Sequence, residues 1–246
     1  MCWDKLLNAD KQAAIGVFDS GMGGLTVLAA LRQALPDESF LYLGDTARLP
    51  YGTKSRHTVE RYAQQAAEHL VERGIKMLVV ACNTASGMAL PALRSRFAGI
   101  PVVGVVEPGA TAALQVADTS GVLVLATEST IQGGAYQAAL SRRGRHVRVY
   151  GRSCPLWVTL AEMGVQDPAF TATVLARDLR GFVADGPRTV LLGCTHFPVF
   201  QAALRQLLPA GVNIVDSAQP TAAAVRAQPR LRWFVLNRQC SLPQAT

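Results

Sequence analysis

Nine short apolar runs constrain the fold of this chain more than any other feature: Ala14–Phe18, Phe40–Leu43, Met77–Ala81, Val102–Val106, Val122–Leu125, Val147–Tyr150, Thr189–Leu192, Asn213–Val215 and Leu231–Leu236. They are rich in β-branched residues and nearly unbroken by charge, the pattern of strands buried on both faces. Between them lie longer stretches with helical spacing: Leu25–Ala34, Thr58–Arg73, Ser129–Arg142, Pro168–Val183 and Val199–Leu207. In Thr58–Arg73, for example, Val59, Tyr62, Ala66 and Leu70 fall on one stripe. The alternation predicts an α/β protein with mainly parallel sheets flanked by helices. In such folds ligands gather at the carboxyl ends of strands, so the polar residues that follow each run carry the functional argument.

Two runs end alike. Met77–Ala81 leads into Cys82-Asn83-Thr84, and Thr189–Leu192 leads through Gly193 into Cys194-Thr195-His196. Each is preceded by an earlier run ending in a polar turn, Asp19-Ser20 in one case and Thr127-Glu128 in the other, at nearly equal separations. The chain therefore reads as two halves of similar plan, each contributing one cysteine. A core cysteine sits inside an apolar run. These two follow the run and open a polar turn, where backbone N–H groups at a helix start stabilise a thiolate. Taken singly, each is more simply a structural residue. Taken together, in matching contexts, they suit the inversion of an α-carbon: one group removes a proton from one face while the other returns a proton to the opposite face. Asp19 and His196 are the acid and base nearest to the two cysteines in sequence.

Composition excludes several other classes. Half of the 246 residues are hydrophobic and 17% are charged, as in a well-buried globular protein. No run reaches the ~18 apolar residues of a membrane span, and the segment from Met1 to Ala14 lacks the apolar core of a secretory signal; a cytoplasmic protein is expected. Five cysteines, none in a CxxC pair, predict neither a disulfide framework nor a structural zinc site. The net charge of +7 resides mostly in arginines, in one cluster of Arg142, Arg143, Arg145, Arg148 and Arg152 and another of Arg226, Arg230, Arg232 and Arg238. Without interleaved aromatics they read as solvated surface, not as a nucleic-acid site. The turn Asp19-Ser20-Gly21-Met22-Gly23-Gly24 is neither GxGxxG nor a Walker A loop, so it gives no support to nucleotide binding. Pro50-Tyr51-Gly52-Thr53-Lys54 is a turn that can offer backbone N–H groups to a carboxylate, or an ordinary loop. Lys54 has no phosphate cradle beside it, so no pyridoxal phosphate, and no other cofactor or metal, is expected.

Seven segments together resemble the glutamate racemase family of the aspartate/glutamate racemase superfamily: GVFDSGMGGLTVL, YLGDTARLPYGTKS, VVACNTAS, VVGVVEPGA, CPLWVTLAEMG, LLGCTHFPV and VDSAQPTA, in order from Gly16 to Ala222. The resemblance implies a cofactor-independent enzyme that interconverts L- and D-glutamate and supplies D-glutamate for peptidoglycan. It implies Cys82 and Cys194 as the acid/base pair, Asp19 supporting the first, and His196 with Glu162 supporting the second. It implies Asp19, Ser20, Tyr51, Gly52, Asn83, Thr84, Thr195 and His196 as substrate-binding residues. From the residues alone Glu162 reads only as a charge on a helix surface. The resemblance also implies two α/β domains, residues 1–107 completed by 217–246 and residues 108–216, with the active site between them. A homodimer and, as in some members, DNA gyrase are the partners it leaves open, and aspartate or another acidic amino acid is the alternative substrate. The sequence departs from the family at Thr53, Ala126 and Gly134, none of which removes a catalytic group, and more extensively in residues 237–246.

Overall fold

The structure is a computed structural model that describes residues 13–143, 147–165, 167–182 and 186–229. The expected strand at Leu231–Leu236 lies outside the described residues. The other eight expected strands form two four-stranded parallel sheets. The first contains β1 (Ile15–Asp19), β2 (Phe40–Gly44), β3 (Met77–Val80) and β4 (Val102–Gly104), in the order β2-β1-β3-β4. The second contains β5 (Val122–Ala126), β6 (Val149–Ser153), β7 (Thr189–Gly193) and β8 (Asn213–Asp216), in the order β6-β5-β7-β8. The two orders are the same, so the halves share one plan. In each sheet the chain reverses its direction of growth between the two central strands, which opens a crevice at their carboxyl ends.

The central strands β1, β3, β5 and β7 are buried on both faces, as their unbroken apolar character requires. Of the four edge strands, β2, β6 and β8 are only partly buried, while β4 is buried. Two apolar layers clothe each sheet. Leu78 and Val80 face one layer of the first lobe, while Ile15, Val17 and Val79 face the other.

The helices are α1 (Leu25–Ala34), α2 (Arg56–Val71), α3 (Asn83–Arg96), α4 (Val106–Val116), α5 (Glu128–Gln132), α6 (Ala135–Ser141), α7 (Pro155–Glu162), α8 (Pro168–Asp178), α9 (Gln201–Leu207) and α10 (Ala218–Arg226). The single helix expected over Ser129–Arg142 is two helices. Gly133 ends the first, and Gly134 takes φ 64°, a left-handed conformation that breaks the helical run. The start of the helix expected from Val199 is a 3-10 turn, Phe197–Phe200, leading into α9. Helices α3, α4, α7 and α10 are not among the helical segments expected from the sequence. Helix α3 carries Gly87 and Pro91 and is buried on nearly all sides as far as Leu90, so that stretch has no polar face to set a periodicity.

α10 crosses back to the first lobe: Ala218, Ala222 and Val225 pack in the same layer as Ile15, Val79 and Leu31. In the second lobe Trp157 of α7 is fully buried, with its indole N–H donating to Asp178 Oδ2 at 2.9 Å and its ring 5.0 Å from that of Phe197. It ties α7 to the 3-10 turn and so fixes both Glu162 and His196. Trp157→Ala is expected to lower the unfolding free energy in urea by about 3–5 kcal/mol, through cavity formation and the loss of the indole bond to Asp178, whose other oxygen stays paired with Arg177.

Among the described residues no helix is long and apolar enough to cross a membrane. In the arginine clusters, Arg142 and Arg143 pair with Glu107, and Arg152 lies over the Phe182 ring. Arg145, Arg230, Arg232 and Arg238 lie outside the described residues.

Candidate active site

One narrow cleft lies where the carboxyl ends of the two sheets meet. Ser20, Tyr51, Gly52, Cys82, Asn83 and Thr84 line it from the first lobe, and Glu162, Cys194, Thr195 and His196 from the second. All but one of the sequence-predicted site residues are therefore brought to one wall or the other. The exception is Asp19, which is fully buried behind Ser20. Gly21, Leu49, Pro50, Thr127 and Val158 complete the lining. Lys54 does not reach the cleft, and no lysine or arginine is among the lining residues.

Each cysteine sits where its strand ends. Cys82 caps the N-terminus of α3, and its Sγ accepts a hydrogen bond from the Ala85 N–H at 3.4 Å. Cys194 directly follows β7, with Sγ 3.7 Å from His196 Nδ1. The far ring nitrogen, His196 Nε2, contacts Glu162 Oε1. In the tautomer that donates from Nε2 to Glu162, Nδ1 turns its lone pair toward Cys194. On the other side, Asp19 Oδ2 accepts from the Gly21 N–H at 2.9 Å at the start of the glycine turn.

Burial dominates the electrostatics. It pushes the Cys82 thiol up to about 11, reinforced by the charge of Asp19 and opposed by hydrogen bonds from Ser20 and the α3 N-terminus. Burial also raises Cys194 well above the ordinary thiol range, with the backbone N–H of His196 pulling against it. Asp19 is raised by the same desolvation, opposed by the Gly21 N–H and by His196. Both thiols of the unliganded protein are accordingly protonated at neutral pH. Alkylation of Cys82 by iodoacetamide, followed by peptide mass spectrometry, is expected to climb through pH 9–11 without levelling at an ordinary thiol value. Cys154, fully buried and away from the cleft, is the internal control and stays unmodified.

The lobes meet through positions that only small residues fit. A Cβ on Gly23 would lie 2.5 Å from Thr195 Oγ1, and one on Gly52 would lie 2.4 Å from Thr127 Cβ. The hydroxyls of Thr84, Thr127 and Thr130 form a buried triangle across the seam, with edges of 3.0, 3.1 and 2.9 Å. Tyr51 does not present its phenol to the cleft; the hydroxyl donates to buried Asp45 Oδ2 at 2.5 Å, and Arg48 Nε meets that oxygen at 2.7 Å. Thr127, Thr130 and Asp45 were not singled out as site residues. Thr127 had been marked only as the counterpart of Asp19, and the polar turn after β5 was the available signal.

The sequence profile of the Asp/Glu/Hydantoin racemase family matches residues 15–227. The chain belongs to that family. Among curated members of this racemase family, the glutamate racemase of Geobacter metallireducens is 49% identical over 86% of this chain and 78% of its own length. The glutamate racemase isoform RacE1 of Bacillus anthracis superposes with a TM-score of 0.84 at 35% identity, covering 93% of this chain and 83% of that one. The glutamate racemase of Francisella tularensis in complex with D-glutamate superposes with a TM-score of 0.82 at 31% identity, covering 96% and 85%. The family membership accounts for two parallel α/β lobes with a cleft at their seam.

Proposed function

We propose that this chain is a cofactor-independent glutamate racemase that interconverts L- and D-glutamate with Cys82 and Cys194 as its acid/base pair. The observation that carries the reading is the placement of one cysteine from each lobe in the lining of a single cleft. We assign the lobes to residues 1–107 with 217–246 and to residues 108–216, supported by the packing of α10 in the first lobe.

The substrate's α-ammonium group supplies the positive charge that the cleft lacks. It offsets the cost of forming one thiolate in a buried site. From one enantiomer, the thiolate on one side takes the α-proton and the electron pair remains on the α-carbon. The thiol on the opposite side then donates its proton to that carbon, which inverts the centre. The two sulfurs end with their charge states exchanged, and the reverse reaction starts from that state. Asp19 acts on Cys82 through its charge. His196, oriented by Glu162, stands ready at Nδ1 to take or return the Cys194 proton. Ser20, Asn83, Thr84 and Thr195, with the backbone at Tyr51 and Gly52, supply neutral donors for the two substrate carboxylates. The product supplies D-glutamate for peptidoglycan in the cytoplasm, a setting that suits the free thiols of Cys82, Cys154 and Cys194.

The test is circular dichroism of L-glutamate and of L-aspartate incubated with pure protein and no added cofactor. Loss of ellipticity from L-glutamate alone is the expected result. Loss from L-aspartate in preference would reassign the substrate, and no loss from either would overturn the reading.

A further inference from the structure

Tyr136 belongs to none of the roles assigned above, yet it is built into the seam between the two cysteines. It lies on α6 of the second lobe and is fully buried. Its hydroxyl donates to Asn83 Oδ1, on α3 of the first lobe, at 2.5 Å. Its ring lies under the end of β7, where a Cβ on Gly193 would be 2.9 Å from Tyr136 Cε2. One side chain thus touches the residue after Cys82 and the residue before Cys194. A third segment joins them. The Ser217 side chain, at the N-terminus of α10, sits beside the phenol and pulls against the rise in its pKa that burial imposes. Gly109 leaves the room: a Cβ there would be 3.2 Å from Ser217 Cβ and 3.3 Å from the phenol oxygen.

The direction of the bond to Asn83 matters. An asparagine amide can present either its oxygen or its NH2 group to a ligand, and the choice is set by what holds the other end. The phenol proton points at Asn83, where it needs an acceptor. Only Asn83 Oδ1 provides one. Asn83 Nδ2 is left buried and without a hydrogen-bond partner among the described residues, in a side chain that lines the cleft. A buried amide N–H of this kind is costly unless a ligand takes it up.

We propose that Tyr136, with Ser217 beside it, is a positioning residue that fixes the Asn83 amide so that its Nδ2 donor meets a carboxylate of the substrate. The inference rests on the reading of Asn83 as a substrate-holding residue. Tyr136 touches no substrate; it acts through Asn83, and its effect belongs to binding and not to proton transfer.

Steady-state racemisation of L- and D-glutamate tests this with Tyr136→Phe, which keeps the ring, with Asn83→Ala, and with the two combined. In Tyr136→Phe, KM is expected to rise roughly tenfold in both directions while kcat stays within about threefold. A purely structural role would instead lower kcat with the folded fraction and leave KM in place. In Asn83→Ala, KM is expected to rise as well, and adding Tyr136→Phe should raise it no further, since both changes remove one interaction. Should Tyr136→Phe fail to fold, Ser217→Ala takes its place in the same cycle, with a smaller rise in KM expected. If Asn83→Ala leaves KM unchanged, Asn83 does not hold substrate and the inference falls with that reading. If Asn83→Ala raises KM but the phenol change does not, or if the two effects add in full, the assignment of Tyr136 is overturned while Asn83 keeps its role.

Discussion

Cys82→Ser and Cys194→Ser are each expected to lower the racemisation rate by roughly 10³-fold, within the 10²–10⁴ range of a positioned acid or base. A serine hydroxyl fits the same space but stays protonated far above any working pH, so it can neither take the α-proton nor return one efficiently. The informative measurement is exchange of the α-proton with solvent deuterium, started separately from L- and D-glutamate. A protein that keeps one sulfur can still abstract a proton from the enantiomer whose hydrogen faces it. Each single variant should therefore exchange one enantiomer faster than it racemises it, and the favoured enantiomer should differ between the two. Near-normal turnover in both variants would contradict the scheme of two opposed thiols. Stability is also expected to respond to pH through these groups. Burial raises both thiols in the folded state. The stability this contributes is fully present below the unfolded thiol value near ~8.5 and is lost as pH rises through the folded values.

Gly52→Ala is expected to reduce kcat/KM for glutamate by about 10²-fold, because displacing a positioned group by ~1 Å costs that much in rate. The added methyl carbon would lie 2.4 Å from Thr127 Cβ and 2.5 Å from Thr127 Cγ2. Thr127 cannot swing aside freely, since its hydroxyl is tied to Thr84 at 3.0 Å and to Thr130 at 2.9 Å. The contact is relieved by shifting the Tyr51–Thr53 turn against the second lobe, at the point where the cleft is lined from both sides. Tyr51 in this turn packs in the first lobe's core against Phe18 and Tyr62, so the thermal midpoint should fall as well, with the loss in steady-state kinetics the larger effect. Unchanged kinetics would mean that the seam is loose enough to absorb a methyl group.

Much of this protein was written in local chemistry. Unbroken runs such as Val122–Ala126 can only be strands covered on both sides, and alternation with helices makes their sheets parallel. The matching turns after β3 and β7 marked Cys82 and Cys194, since a thiol placed between an apolar run and a helix start has a local reason to be reactive. Asp19 and His196 were found the same way, by nearness along the chain.

What the tertiary structure decided lies wherever partners are distant in sequence. Glu162 reads locally as a helix charge, and its role depends on meeting His196 across the second lobe. Tyr136 has an apolar periodic setting and becomes functional only because its hydroxyl meets Asn83 across the seam, with Ser217 of a third segment beside it. The length of a helix or strand is set by forces between neighbours along the chain. The joining of two lobes into one cleft is set by steric fits such as Gly52 on Thr127 and Gly23 on Thr195, which have no local signature. Sequence therefore determined the elements and the two sulfurs, and packing alone determined that those sulfurs share a pocket.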